Sequence, residues 1–264
     1  MADILGVPAY SKGSVNAGFS QKRRPVARNV HLPTRNDPSL SLSDGVSVGI
    51  TSQIEHIFDV ACTEVQATYI NAYNNNGTPA DGPNSITVKT GWRRDGANWP
   101  GYLTGVRSRQ LDSAGLLTSD AVGMTFARGD IVYSRTGVSV SAGQKYPLGI
   151  TTKGGVEGVV AGDQVDNVVG GSVTKSYGPA LITGIPRMPI DSPILGILGD
   201  SNAAGYNDLG LGSDAYGYVR RALDGKLSYV NLSYSGSGAT NSNSEYKLRH
   251  RFALADKVQV DDWY

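Results

Sequence analysis

The chain has 264 residues, a formal net charge of +1 and 39% hydrophobic residues, enough to bury a sizeable core and to form two domains. A balance so close to neutral gives no global field that would draw the chain to nucleic acid or to a membrane surface. The single cysteine, Cys62, excludes an intrachain disulfide, and with only three scattered histidines beside it there is no metal-ligand spacing.

Residues 1–44 differ in composition from the remainder of the chain. They hold Lys12, Lys22, Arg23, Arg24, Arg28 and Arg35 against only Asp3 and Asp37, and Pro8, Pro25, Pro33 and Pro38 interrupt them. No helical or strand period persists, so this extended basic arm cannot build a core alone and is expected either to be disordered or to lie across a partner. The start of the chain shows no apolar h-region of a signal peptide, and no apolar run approaches the ~18 residues of a membrane-spanning helix. Synthesis in the cytoplasm is therefore the expectation.

Residues 45–185 read as β-structure. Strand-like runs fall at 46–50, 64–73, 85–90, 124–126, 130–134, 138–140 and 156–160. Turn clusters separate them: Asn74-Asn75-Asn76-Gly77, Asp81-Gly82-Pro83-Asn84, Arg94-Asp95-Gly96, Ala142-Gly143 and Lys153-Gly154-Gly155. The 34 glycines of the chain fit many turns between short strands, and the spacing predicts an antiparallel β-sandwich or jelly roll. Trp92, Trp99 and Tyr102 cluster in a Gly- and Pro-rich stretch, where they either stack on a sugar ring or close one end of the sandwich. Cys62 reads as a small buried residue.

The linker 186–192, between Pro186 and Ser192, ends this region. Pro193-Ile194-Leu195-Gly196-Ile197-Leu198 is then a short continuous apolar run, as in a strand buried on both faces. A helix is predicted over 214–223, a second apolar strand over 227–232, a helix over 249–255 and the start of a third strand over 257–260. This β-α-β-α-β order belongs to a parallel α/β sheet. Residues 193–264 are too few for a complete sheet of that kind, so the α/β domain reads as incomplete.

The chemistry sits in Gly199-Asp200-Ser201-Asn202-Ala203-Ala204-Gly205, directly after the first apolar strand. Ligands gather at the carboxyl ends of parallel strands, which makes Ser201 the candidate nucleophile. Gly199 permits a tight turn. Asp200 can accept backbone N–H bonds and support the loop, and it is not assigned as the general base. The Ser201 N–H can face a developing oxyanion.

This string resembles the first block of the SGNH/GDSL hydrolases, Gly-Asp-Ser followed by a Gly four residues later. The second strand end, Asn231-Leu232-Ser233-Tyr234-Ser235-Gly236, is similar to the family's second block. The resemblance implies a flavodoxin-like α/β fold for residues 193–264. It also implies an ester hydrolase in which Gly236, or Gly238 if the loop is shifted, gives a second oxyanion N–H. Several such hydrolases carry an N-terminal β-sandwich, and the stretch 130–150 resembles those domains. Two family elements are missing. Nothing after Gly238 matches the Gly-x-Asn-Asp block, and none of His31, His56 and His250 stands in the Asp-x-x-His block that holds the general base. His250, in Lys247-Leu248-Arg249-His250-Arg251-Phe252, is expected on a solvated helix face, and His31 and His56 as ordinary histidines. The chain thus reads as the N-terminal part of a longer hydrolase, inactive in this length.

Two functions are expected from this reading. One is a serine esterase removing acyl groups from a carbohydrate or surface polysaccharide, with no cofactor and no metal. The other is a virion fibre or spike protein, homo-oligomeric and anchored to other virion proteins through residues 1–44. A carbohydrate-binding module without catalysis is a third possibility.

Overall fold

The structure, a computed structural model, describes residues 22–28, 41–75, 78–151, 156–167, 174–204, 217–233 and 245–264. Two antiparallel sheets face each other across the main core. The first runs, in order, Arg24–Pro25, Leu181–Pro186, Cys62–Ile70 and Leu116–Thr118. The second runs Gly158–Ala161, Gly49–Ile57, Ile131–Ser139, Ile86–Arg94 and Ala97–Pro100, with Ser108–Leu111 also paired to Ile86–Arg94. Period-two alternation sends Val88, Trp92, Val132 and Val138 of the second sheet inward against Val65, Ala67, Tyr69 and Ile182 of the first. The predicted β-sandwich is therefore present.

The strands differ from expectation in detail. The run expected at 46–50 begins at Gly49 and continues to Ile57, and the runs 130–134 and 138–140 are one strand, Ile131–Ser139. That strand is the spine of the second sheet: it pairs along its whole length with Gly49–Ile57 and along most of it with Ile86–Arg94. The apolar triplet 124–126 forms no strand. Phe126 makes only an isolated bridge to Cys62 and stacks on Phe58 at 4.4 Å between ring centroids. The Asp95-Gly96 turn joins Arg94 to Ala97 with φ of 49° and 80°, the left-handed pair that a two-residue hairpin loop requires. The turn at 153–155 lies outside the described residues.

After the sandwich comes a small parallel sheet. Ile194–Ile197 is its centre, with Ser228–Asn231 on one side and Asp262–Trp263 on the other. The helices observed are Ser201–Ala204, Gly217–Leu223 and Glu245–Asp256. The stretch 257–260, expected to start the third strand, is mostly turn, with Gln259 at a φ of 51°. Leu195 and Ile197 face Ala203 and Val219 of the first two helices. Ile194 and Val230 face the other way, onto Leu254, Ala255 and Val258.

That second face is shared with the sandwich. Tyr69 and Ile182 point into the main core, while their neighbours Ile70 and Leu181 point out of it and join Ile194, Val230, Leu232 and Leu254 in one apolar cluster. The first sheet is therefore buried on both sides along this stretch. Part of the basic arm closes the junction. Arg24 and Pro25 pair with Gly184 and Thr183, and the Arg24 side chain is only 4% exposed. Its guanidinium donates to the carbonyls of Ile190 at 2.8 Å, Ser192 at 2.5 Å and Pro193 at 3.1 Å, and to Ser228 Oγ at 3.2 Å. Lys22 pairs with Asp261, whose other oxygen accepts the Ile194 N–H.

Replacing Arg24 by Ala takes the donor from three partly buried carbonyls and the buried Ser228 hydroxyl, where a lost partner costs up to roughly 1–3 kcal/mol. Urea denaturation should show Arg24→Ala less stable by about 2–4 kcal/mol. Arg24→Lys should recover only part, because one ammonium cannot span all four oxygens. A loss under about 0.5 kcal/mol would mean that the guanidinium is not holding the junction.

Candidate functional site

The strand Ile194–Ile197 is bracketed at its exit. Leu232 N–H donates to the Ile197 carbonyl at 2.8 Å, and Leu198 N–H donates to the Tyr264 carbonyl at 2.7 Å. The order of the parallel strands places the first of them between the second and the third. The connection to the second strand passes over one face of the sheet and the connection to the third over the other. The carboxyl end of Ile194–Ile197 is therefore a topological switch point, the place where doubly wound sheets bind ligands.

Gly199, Asp200 and Ser201 follow that strand end, and Ser201 is the first residue of helix Ser201–Ala204. Asp200 Oδ1 accepts the Asn202 N–H at 2.9 Å, so the carboxylate caps the turn. Gly199 is there for space: a Cβ on it would lie 2.6 Å from Ala203 Cβ and 3.1 Å from Ser233 Oγ. The Ser233 hydroxyl is itself buried without a hydrogen-bond partner. Asn231, 5% exposed, joins the end of the second strand to helix Ser201–Ala204. Its Nδ2 donates to the Ala203 carbonyl at 2.9 Å, and its Oδ1 accepts the Ser233 N–H at 3.1 Å. In the sequence Asn231 reads only as the lead residue of a strand end. Its bridging role depends on a carbonyl 28 residues away, which no local pattern reveals.

The other candidates fall elsewhere. Gly205, Gly236, Gly238 and His31 lie outside the described residues. His56 is fully buried inside the sandwich, with Nδ1 3.0 Å from the Arg28 carbonyl and Nε2 2.7 Å from Ser134 Oγ. A carbonyl only accepts, so Nδ1 carries the proton and Nε2 accepts from the Ser134 hydroxyl. This serine–histidine pair has no solvent access and serves as core structure.

His250 corrects the expectation of a solvated face: it is 2% exposed, with Nε2 2.8 Å from Asp81 Oδ1. Arg249 pairs with the same carboxylate. Burial, reinforced by the Arg249 charge, pushes the imidazole below its ordinary value, and Asp81 opposes this.

Cys62 is buried, and desolvation raises its thiol to about 12, so it is a core residue and not a thiolate nucleophile. Trp92 is in the core, Trp99 packs partly buried against it, and Tyr102 alone of the three is exposed. Among the described residues no three metal-ligating side chains cluster, and no helix is long and apolar enough to cross a membrane.

Charge concentrates at the opposite, amino-terminal end of the parallel strands. Arg28 Nη2 lies 2.6 Å from Asp59 Oδ1 and its Nη1 lies 3.7 Å from Asp224, which also pairs with Arg220. Burial raises the Asp59 carboxyl although Arg28 opposes it, and it holds the Tyr229 phenol, hydrogen-bonded to Asp224, well above its usual range.

No family profile and no curated protein matches the chain. Among solved structures, it is similar to the CBM3a-L domain with flanking linkers from scaffoldin cipA of the Clostridium thermocellum cellulosome. That match has 11% identity and a TM-score of 0.27 over 64% of this chain and 89% of the other. It is also similar to the acetyl xylan esterase Est2A of the rumen bacterium Butyrivibrio proteoclasticus, with 14% identity and a TM-score of 0.22 over 83% of this chain and 47% of the other. A family two carbohydrate esterase from Clostridium thermocellum, in complex with cellohexaose, matches with 13% identity and a TM-score of 0.17 over 76% and 48%. The chain spans about half the length of these two esterases.

The tight turn at Gly199 can be tested by substitution. Gly199→Ala forces Ala203 or Ser233 to move and should cost about 1–3 kcal/mol by urea denaturation. Gly123→Ala, with open space around it, should cost under about 0.5 kcal/mol. An equal loss in both would deny the tight turn.

His250 has a folded pKa below the unfolded value of 6.5. Its contribution to stability is therefore complete above that value and is lost as pH falls through and below it. Thermal midpoints recorded between about pH 8 and pH 5 should fall in the parent chain, and the fall should be shallower in His250→Gln.

Proposed function

We infer that the chain carries the nucleophile turn of a serine ester hydrolase of the SGNH/GDSL type, acting on an acylated carbohydrate. The observation that supports this most is the position of Gly199-Asp200-Ser201 directly after the carboxyl end of the central parallel strand. In this reading the Ser201 hydroxyl attacks the ester carbonyl. A bond forms between Ser201 Oγ and the acyl carbon, and the serine proton passes to a general base. The backbone N–H groups of Ser201 and Gly236 hold the tetrahedral oxyanion. The acyl–sugar bond then breaks and the base returns the proton to the departing sugar oxygen. Water repeats the sequence on the acyl-enzyme, giving the free acid.

The base is the component that the described histidines do not provide. His56 is bonded to Ser134 inside the sandwich, and His250 is held against Asp81. A serine without a base is a weak nucleophile. The virion-attachment reading gains no support from the described part of the arm. Lys22, Arg23, Arg24 and Arg28 all engage oxygens of this same chain.

Acetylated xylan is the substrate for the test, with released acetate as the readout. The chain should show no turnover above its Ser201→Ala variant. Added imidazole, as an external base, should then raise acetate release in the parent chain and not in Ser201→Ala, after subtraction of the imidazole blank. Equal rescue of both would remove Ser201 from the reaction. Turnover without imidazole that disappears in Ser201→Ala would keep the esterase and show that a base is present.

A further inference from the structure

The outer face of the second sheet carries a cleft that the Ser201 chemistry does not use. Its volume is about 420 Å³, and its floor includes Gly49 and Gly137 on adjacent strands. This lies within the ~300–1,000 Å³ range of small-molecule sites. One wall carries Lys89, whose Nζ lies 2.9 Å from Asp163 and 2.9 Å from Asp166. Arg107 lines the cleft as well and pairs with Asp166.

The walls are fixed before any ligand arrives. Thr51 Oγ1 donates to the Gly162 carbonyl at 2.7 Å and accepts the Gln164 N–H at 2.8 Å, so the wall segment 162–167 is pinned to the sheet. Val165, 2% exposed, seats over Gly91 and Gly137, where a Cβ would come within 3.0 Å and 2.9 Å of its methyl groups. Arg107 donates to the Gly101 carbonyl at 2.8 Å. Its guanidinium also lies 5.7 Å from the ring centre of Tyr102, which helps to hold it in place. Pairing also sets the charges: it raises the Lys89 ammonium against its own desolvation and holds the Asp163 carboxyl down.

The chemistry of this rim selects its ligand. Two cations and two carboxylates, paired with one another, sum to zero, so the rim offers a charged polymer of either sign no net attraction. The carboxylates accept hydrogen bonds and the cations donate them, while the Thr87 and Ser139 hydroxyls do both. A pyranose hydroxyl likewise donates and accepts, and the C–H face of the ring suits the apolar Val48 and Ile50 of the lining. The central strand of the floor is paired on both sides, so no peptide can add to it as a strand.

We propose that this cleft is a binding subsite for a short neutral oligosaccharide. The subsite stands independently of the esterase reading, because none of its residues belongs to the Ser201 turn.

Isothermal titration with xylotriose, cellotriose and trigalacturonate tests it. At least one neutral trisaccharide should bind, and more tightly than trigalacturonate. Thr87→Phe, which fills the cleft from an exposed strand position, and Lys89→Met should each weaken that binding by about tenfold or more. The thermal midpoint of Thr87→Phe should stay close to that of the parent. Ser201→Ala should bind as the parent does, so failure of the esterase reading leaves this result untouched. Absence of binding by both neutral probes, preference for trigalacturonate, or indifference to both cleft substitutions would each overturn the subsite.

Discussion

One buried guanidinium sets the arrangement of the chain. Arg24 is removed from water, which is costly for a charge, and the cost is offset only because three carbonyls and one hydroxyl converge on it. Those acceptors belong to the connection after the sandwich and to the start of a parallel strand. The donor belongs to the basic segment near the start of the chain. Moving either half away from the other would strand a charge and several carbonyls together. The apolar cluster shared by Ile70, Leu181, Ile194 and Leu254 acts in the same direction, since the first sheet has no solvated face along that stretch. The parallel sheet is small and draws much of its order from the sandwich beside it.

This dependence also explains what the sequence shows and what it hides. The apolar run from Pro193 to Leu198 marks a two-sided strand, and the Gly-Asp-Ser string after it marks a turn, because both signals are local. The role of Gly199 is legible for the same reason: the atoms that crowd it include Ala203, four residues on. Arg24 gives no such signal. In a stretch rich in Lys and Arg it looks solvated, and its acceptors are backbone carbonyls more than 160 residues away.

His250 misleads for a related reason. Between Arg249 and Arg251 it reads as part of a wet helix face. In the structure Arg251 is 1% exposed and both Arg249 and His250 meet Asp81 of a distant hairpin. Apolar periodicity detects burial by hydrophobic contact and misses burial by charge pairing. The triplet 124–126 fails in the opposite sense. Only Phe126 of it is buried, by stacking on Phe58 and a single bridge to Cys62 rather than by a ladder.

The two ends of the parallel sheet are built by different means, and this bears on where precision is needed. At the amino-terminal end, Arg28, Asp59, Asp224 and Arg220 form a partly buried ionic seam with the sandwich. Charge-assisted hydrogen bonds from Arg28 to both oxygens of Asp59, at 2.6–3.1 Å, hold the two units together there. At the carboxyl end the contacts are short and neutral: a glycine that admits Ala203, and an asparagine amide that joins the first turn of one helix to the exit of the next strand. In the esterase reading the turn has to present one serine oxygen and one backbone N–H to a reacting carbonyl. Gly199 and Asn231 contact the helix that starts at Ser201 directly, through Ala203, whereas the charged seam lies at the other end of the strands.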